Sequence, residues 1–204
     1  MLRLLRAHVT ATLLTHDQTR ATATRLVIDP ASGRLVSPVS PELLESQDFL
    51  LVLPDESEAL VQVGVEPEVT DARSDAAVDR HRAYHGMDTS KSWVRWSIIS
   101  ARGVDPTLGA VVGDGEDLMV PSPLVAIEPK LVRLANTDPS RLRAWCLARS
   151  GAAVEAPVAV GVDPDGVDIR ARYGIIRVAF DVPLDDAASA EDALRRLLDQ
   201  GTSV

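Results

Sequence analysis

The sequence predicts an α+β protein in which a small β-barrel is followed by a small α/β domain. Strand signals recur through residues 8–112 with one helical segment among them, which is typical of a small closed barrel. Within this region, the segment 59–71 alternates apolar and polar residues, as a half-buried strand does. Near residue 120 the pattern changes to helices, a β meander and a final helix. We therefore expect two domains, at 1–120 and 121–204.

The first predicted domain begins with a short helical turn at residues 2–7. Six strand-like segments follow, rich in β-branched residues or in alternating apolar residues. They are 8–16, 20–28, 35–40, 48–56, 59–71 and 92–103. The Asp, Pro, Ser and Gly residues of 29–34 are typical of a turn and join the second and third segments as a hairpin. A short strand and a turn are expected within 107–118.

One helix, over residues 74–85, interrupts these strands. Ser74 is expected to cap its first turn, and Gly86 is expected to end it. The helix carries His81 and His85, which are four residues apart and therefore lie on the same face.

The second predicted domain has three parts. Residues 121–151 are predicted to be mostly helical, with a break at Pro139. The segments 157–163 and 166–180 form a β meander around an Asp-Pro-Asp-Gly turn. The last helix begins at Ser189, whose hydroxyl acts as the N-cap in a capping-box pattern.

Composition excludes several classes of protein. The 204 residues carry a formal net charge of −9 at pH 7, so neither nucleic acid nor a membrane surface is an expected partner. Cys146 is the single cysteine, which fits a reducing cytosol. The N-terminal residues lack the continuous apolar run of a signal peptide. We expect a cytoplasmic protein.

Charge is distributed unevenly along the chain. From Glu42 to Asp79 the charged residues are acidic apart from Arg73, whereas from Lys130 to Arg149 they are mainly basic. Two separate solvated surfaces explain this pattern. The alternative is an electrostatically matched contact, within a subunit or across a dimer. The acidic 42–79 surface is therefore a candidate site for a protein partner.

The histidine pair allows two interpretations. His-x-x-x-His begins many metal sites, but a structural zinc site needs about four ligands and a catalytic one about three. No second cluster of ligands accompanies His81 and His85, and Tyr84 between them indicates an apolar face. We expect packed or partly buried histidines and no dedicated metal site, while contact with a metal or haem stays open.

Other motifs give little sign of catalysis. No Gly-x-Ser-x-Gly motif is present, Cys146 is interpreted as a core thiol, and no catalytic residue is assigned. The Asp-rich segment 163–168 is interpreted as a hairpin turn rather than a calcium loop, because strands flank it. Arg25, Ser37 and Ser40 are candidates for binding a phosphate, since an arginine offers bidentate donors.

The C-terminal stretch PVAVGVDPDGVDIRARYGIIRVAFDVPLDDAASAEDALRRLL follows a recognisable pattern of strands, turn and helix. Its marker residues are Asp163, Gly166, Asp168, Arg177, Phe180 and Pro183. With the earlier stretches TATLLTHD and IDPASGRLVSPVS, it resembles the haem-utilisation (HugZ-like) proteins. These pair a flavin-type split β-barrel, related to pyridoxamine 5'-phosphate oxidase, with a small C-terminal α/β domain. The resemblance implies this flavin-binding-protein-like fold.

The chain departs from this family at its cofactor motifs. Where the family often has His-Met-Asn-x-Asp-His, this chain keeps Asn136 and Asp138 but has Leu134 and Pro139 at the histidine positions. In the stretch after the hairpin it keeps Ser40 and loses His-Thr-x-Asn. Acidic residues stand there instead, and they would repel a phosphate.

The resemblance implies a cofactor-binding protein that holds haem or flavin mononucleotide in a cleft between the two subunits of a homodimer. The residues implied as cofactor contacts are Arg25, Ser37, Ser40, His81 and His85. The resemblance leaves open whether this chain keeps the family's activity or has lost it. The chain is therefore not assigned as an enzyme. The alternative is a non-catalytic regulatory or protein-interaction module that keeps the fold without a cofactor. A metal-dependent enzyme around the histidine pair ranks last.

Overall fold

The computed structural model describes residues 1–15, 20–46, 48–54, 61–87, 92–105 and 107–200. The chain divides into two compact units, Met1–Pro121 and Ser122–Val204. The architecture is mixed α+β, with a large antiparallel sheet in the first unit and a small three-stranded sheet in the second.

The first unit combines the large sheet with three helices in its described residues. In chain order the elements are α1 (Leu2–Arg6), β1 (Thr10–Thr15), β2 (Ala21–Arg25), β3 (Val27–Ile28), β4 (Leu35–Val39), β5 (Phe49–Leu53), β6 (Val61–Thr70), α2 (Ala76–His85), β7 (Ser92–Asp105), β8 (Gly109–Asp114) and α3 (Gly115–Leu118). A 3₁₀ turn, Pro41–Glu45, lies between β4 and β5.

The second unit combines the small sheet with three helices. In chain order the elements are α4 (Glu128–Ala135), α5 (Pro139–Ser150), β9 (Val158–Asp163), β10 (Gly166–Ala171), β11 (Gly174–Ala179) and α6 (Ala187–Gln200). The predicted helical region with a break at Pro139 is confirmed. Pro139 is the first residue of α5, where its missing N–H costs nothing.

The strands of the large sheet follow the order β2-β1-β5-β6-β7-β4-β3, and β8 pairs with β7 outside this path. We expected a closed barrel, and that expectation is wrong, because no ladder in the described part of the chain joins β2 to β3. The reason lies at Leu26, which interrupts the strand predicted over 20–28. Its first part pairs with β1 and its second part with β4. The two parts follow each other end to end with one residue between them, so they cannot lie side by side and pair.

One core lies against the large sheet. In β6 the predicted alternation is confirmed, since Val61, Val63 and Val65 are buried while Gln62 and Glu66 are not. Successive side chains of a strand point to opposite faces, so each long strand supplies a row of buried residues. The core includes Ala11, Leu13, Leu26, Leu35, Val39, Phe49, Leu51, Leu53, Val61, Val63, Val65, Val94, Trp96, Ile98 and Ala101.

The ends of α2 differ in part from the prediction. Gly86 ends the helix as expected, with φ +86° and an N–H that donates to the Arg82 carbonyl. The N-cap, however, is Asp75 and not Ser74, because the Asp75 carboxylate accepts from the Ala77 N–H at 2.8 Å. A charged cap also benefits from the positive end of the helix dipole.

The start of α6 is also earlier than predicted. The helix begins at Ala187, and Asp186 accepts from the Ala188 N–H at 3.0 Å. The expected N-cap at Ser189 is therefore wrong, since Ser189 lies inside the first turn. Asp186 and Ser189 can both cap a helix, and the capping-box pattern in the sequence favoured Ser189.

Candidate functional site

Helix α2 is the element that carries the candidate site. Its packed side consists of Ala77, Val78, His81 and Tyr84, all buried. The helix lies beside β3 and β4. The expected packing of His81 is thus observed, while His85 at the last turn is half-buried.

Both histidines bond to the backbone where β2 passes into β3. The Nε2 atom of His81 lies 3.0 Å from the Arg25 carbonyl oxygen, and that of His85 lies 3.1 Å from the Leu26 carbonyl oxygen. A carbonyl oxygen only accepts, so each Nε2 carries the hydrogen and donates it. A nitrogen that donates has no lone pair for a metal. Neither Nε2 atom can therefore serve as a metal or haem ligand while its bond lasts.

The two imidazole rings form a small aromatic cluster. Their centroids are 4.6 Å apart, and the His81 ring meets the edge of Trp93 at 4.9 Å. Burial, the neighbouring charge of His81 and that of Arg25 lower the pKa of His85 to about 4, against the opposing effect of the Leu26 carbonyl. His85 is therefore neutral near pH 7.

Three of the five predicted cofactor residues meet at one cavity. Arg25, His81 and His85 line a space of about 220 Å³, together with Thr24, Pro38 and Met87. The Arg25 side chain is exposed, and its Nη1 lies 3.5 Å from the His85 carbonyl oxygen. A guanidinium at the mouth of a polar cavity can contact an anionic group.

The two predicted serines lie elsewhere. Ser37 is fully buried on the core face of β4, where its hydroxyl accepts from Trp96 Nε1 at 2.8 Å. Ser40 is half-buried just before the 3₁₀ turn, and its carbonyl accepts from the Leu43 N–H at 3.0 Å. Neither serine lines the cavity.

An ion network at the start of α2 was not predicted from the sequence. Arg95 on β7 donates to Asp75 at 2.6 and 2.7 Å and to Asp29 at 2.6 Å. Thr70 also donates to Asp75, at 2.8 Å. The network therefore joins the turn after β3, the N-cap of α2 and the middle strand β7. It fixes the helix that carries the histidines.

The pKa values of this network follow from its bonds. Burial alone would raise the pKa of Asp75, but the bonds from Arg95, Thr70 and the Ala77 N–H outweigh it and lower the pKa. The pKa of Asp29 is likewise lowered against the effect of burial. Both carboxylates are charged at neutral pH. Their partners lie 20 and 66 residues away in the chain, so no local motif could have identified them.

A second ion cluster lies in the small sheet of the second unit. Arg177 on β11 donates to Asp163 at 2.6 Å and to Asp168 at 2.9 Å. Asp163 also accepts from the Asp165 N–H at 2.8 Å. The carboxylates of the Asp-Pro-Asp-Gly turn are thus used in a hairpin, with Gly166 opposite Asp163, as predicted.

Asn136 and Asp138, at the start of the second unit, also have structural partners. Asn136 exchanges two hydrogen bonds with the backbone of Ala159, each at 2.8 Å, and so docks the end of α4 on β9. Asp138 caps α5, accepting from Ser140 N–H at 2.9 Å and from Arg141 N–H at 3.2 Å. Leu134 lies in the core and Pro139 begins α5.

Within the described ranges, no group of three or more His, Cys, Asp or Glu side chains could hold a metal ion. An open groove of about 500 Å³ lies at the tip of the β10–β11 hairpin, beside residues 153–155. Tyr173 in its lining is 90% exposed, with the Arg172 guanidinium over its ring at 5.3 Å. Sequence reasoning had not indicated it.

The acidic 42–79 surface is only partly available to a partner. Its residues 47 and 55–60 lie outside the described residues. Glu68 pairs with Arg34 and Asp79 pairs with Arg82. The exposed acidic side chains of its described residues are Glu42, Glu45, Asp48, Glu66, Glu68, Asp71 and Asp79.

Three basic side chains of the segment 130–149 form ion pairs within the second unit. The ion pairs are Lys130 with Glu191, Arg141 with Asp199 and Arg149 with Asp181. None of the helices in the described part of the chain is long and apolar enough to cross a membrane.

Comparison with known proteins gives a likeness in fold. No protein-family model matches the sequence, and no curated protein does either. A solved structure of the protein Atu2129, of unknown function, from Agrobacterium tumefaciens str. C58 is similar with a TM-score of 0.67. The two are 19% identical over 97% of this chain and 93% of that one.

A second solved structure is more distant. It is a haem-binding protein from Mycobacterium smegmatis, 19% identical over 100% of this chain and 96% of that chain, with a TM-score of 0.45. At such identities the comparisons concern architecture only. This chain shares its fold with a protein of unknown function, and its own residues must indicate what it does.

Proposed function

We propose that this chain is a non-catalytic binding module of the split-barrel class, related in architecture to haem- and flavin-binding barrels. The open order of the large sheet supports this class, because its end strands β2 and β3 are consecutive in the chain. Only Leu26 separates them, and its N–H donates to the Val9 carbonyl at 2.9 Å. The backbone thus connects the two ends of the sheet without a ladder between them.

The use of the histidine pair carries the proposal. Both Nε2 hydrogens tie α2 to the β2–β3 junction, which is a structural role rather than ligation. The cavity beside them is about 220 Å³, below the range of about 300–1,000 Å³ usual for small-molecule and cofactor sites. The position of Ser37 inside the core also removes one expected phosphate contact.

A binding module needs a surface for its partner. The exposed acids Glu42, Glu45, Glu66 and Asp71 offer carboxylates to a partner with a basic surface. With its single, buried cysteine, the module suits a reducing compartment, and we place it in the cytoplasm.

Haem or flavin binding is the second candidate, and the convergence of Arg25, His81 and His85 on one cavity favours it. In that case Arg25 would pair with a propionate or a phosphate. His85 would offer Nδ1, since its Nε2 is already a donor. The residues fit one edge of a cofactor rather than a whole macrocycle or isoalloxazine.

One titration separates these functions. Haemin and flavin mononucleotide are added separately to the purified chain, and the Soret band and flavin fluorescence are recorded. For a module without a cofactor we expect no saturable change at micromolar concentration. A saturable change would contradict the proposal. Its loss in His85→Gln, but not in the control His8→Gln, would establish the second candidate.

A further inference from the structure

The groove of about 500 Å³ at the β10–β11 hairpin lies wholly within the second unit. One wall is formed by residues 153–155, which precede β9, and the other by residues 171–176 of the hairpin. The volume of this groove falls within the range of about 300–1,000 Å³ that is usual for small-molecule sites. The groove is therefore large enough for a small ligand.

The floor of the groove is apolar and continuous with the core of the second unit. Val154 is buried in that core, and Ala171 and Ile176 pack against it half-buried. Ala171 lies directly opposite Gly174 in the hairpin, and a Cβ atom added at Gly174 would meet nothing within 4 Å. Because these two residues are small, the floor stays open, and an apolar group of a ligand can cover it. We call Val154, Ala171 and Ile176 the groove floor.

Opposite charges flank the groove floor. Glu155 lies on one wall and Arg172 on the other, and both are exposed. Among the residues that the structure describes, neither forms an ion pair, whereas Arg149 and Arg177 of the same unit are paired with aspartates. The Arg172 guanidinium lies over the Tyr173 ring instead. The groove thus offers one carboxylate and one guanidinium to a ligand.

We propose that this groove binds a free α-amino acid with an apolar side chain. The side chain covers the groove floor beside the Tyr173 ring, the ammonium group pairs with Glu155, and the carboxylate pairs with Arg172. An amino acid fits because it carries both charges next to its apolar group. A purely anionic ligand would be repelled by Glu155, and a purely cationic ligand would be repelled by Arg172.

The backbone next to the Glu155 wall is strained. Ala156 has a φ of +48°, in the left-handed region that a residue with a Cβ atom occupies at a cost. Backbone strain of this kind is concentrated at ligand-binding and active sites. Its position beside Glu155 supports a binding role for this wall.

This inference goes beyond the proposed function and does not depend on it, since neither the histidine cavity nor the acidic 42–79 surface takes part. It is tested by titrating the full chain with L-phenylalanine and following the amide NMR signals of Gly174 and Ile175. We expect saturable shifts with a dissociation constant of about 1 mM, the value for a modestly efficient ligand of about a dozen heavy atoms.

Three analogues of the probe separate the contacts. N-acetyl-phenylalanine keeps only the carboxylate, phenylalanine amide keeps only the ammonium group, and N-acetyl-phenylalanine amide keeps neither. The first two should each bind about fivefold more weakly than phenylalanine, as expected for the loss of one exposed ion pair. The third should produce no saturable shift.

Two groove variants and one control complete the test. Glu155→Gln should weaken the binding of phenylalanine and of its amide, but not that of N-acetyl-phenylalanine. Arg172→Gln should weaken the binding of phenylalanine and of N-acetyl-phenylalanine, but not that of the amide. Arg143→Gln changes an exposed arginine of α5 outside the groove and should leave every affinity unchanged. No binding of phenylalanine at millimolar concentration, equal binding of the doubly blocked analogue, or an unchanged phenylalanine affinity in either groove variant would each overturn the inference.

Discussion

Among the described residues of each unit, an arginine and two aspartates form a largely buried cluster. The two clusters differ in how far apart their residues lie in the chain. In the first unit Arg95 joins Asp29 and Asp75, which come from a turn and a helix cap far apart in the chain. In the second unit Arg177 joins two aspartates of the same three-stranded meander. The first cluster sets tertiary positions, whereas the second strengthens a local hairpin.

The long-range cluster explains how α2, the helix that carries the histidines, is held in place. The Asp75 end of α2 is fixed by Arg95, and the other end is fixed by the imidazole bonds to the β2–β3 junction. The histidine cavity therefore depends on long-range contacts at both ends of one helix. The second cluster joins residues of neighbouring strands in the small sheet, so it holds a local hairpin and not a distant helix.

The largest expected effect comes from breaking the long-range cluster. Arg95→Met leaves two largely buried carboxylates without their cation, which should lower the free energy of unfolding by about 3–5 kcal/mol. Urea denaturation followed by the fluorescence of Trp93 and Trp96 measures it. The matched control is Arg34→Met, whose pair with Glu68 is exposed and should cost at most about 1 kcal/mol. Equal losses in the two variants would contradict the comparison.

Breaking the local cluster should cost less. Arg177→Met is expected to lower the free energy of unfolding of the second unit by about 2–4 kcal/mol, since Asp163 retains its turn bond and can relax toward water. The titrations of this variant with haemin and with flavin mononucleotide should give the same result as those of the unsubstituted chain. The part of the tryptophan fluorescence that is lost in Trp145→Phe comes from this unit, and its change with urea follows the unfolding of the unit. A loss larger than that of Arg95→Met would reverse the ranking of the clusters.

The pH dependence of stability tests the contribution of the histidine end of α2. Because His85 binds its proton near pH 6.5 when unfolded and only near pH 4 when folded, the unfolded state holds more protons between these values. Stability should therefore fall by about 1–3 kcal/mol as the pH drops from 6.5 to 4. His8, whose pKa is also lowered by burial, acts in the same direction. Denaturation midpoints measured across this window report the loss.

His85→Gln provides the control for that prediction. The glutamine amide can still donate toward the Leu26 carbonyl but does not titrate. The decline between pH 6.5 and 4 should become shallower and should not vanish, because His8 remains. A pH dependence identical to that of the unsubstituted chain would show that His85 does not carry the effect.

Much of the local structure followed from the sequence. The alternation at Val61, Val63 and Val65 identified a half-buried strand, Gly86 marked the end of α2, and Pro139 marked the break between two helices. Each of these signals acts over a few residues, through side-chain direction or backbone geometry. The apolar side of α2 was likewise predicted from helical spacing.

The errors arose where neighbouring residues offered competing solutions. Ser74 and Asp75 can both cap α2, and the choice depends on Arg95, which comes from a distant strand. The segment 20–28 has a β-strand pattern throughout. In the structure its first part pairs with β1 and its second part pairs with β4, and Leu26 lies between the two parts. Ser37 has the chemistry of a phosphate contact, but its neighbour Trp96 uses it inside the core.

By itself the sequence determined which stretches become strands and helices, where several of them end, and that two imidazoles share a helix face. Those features depend on propensity and periodicity, which act between near neighbours. Only the tertiary structure decided that both imidazoles donate to the β2–β3 junction and that Arg95 holds the helix cap. These features depend on which distant backbone groups and charges come within hydrogen-bonding distance. The partners are 20 to 66 residues apart in the chain, so no short sequence pattern identifies them.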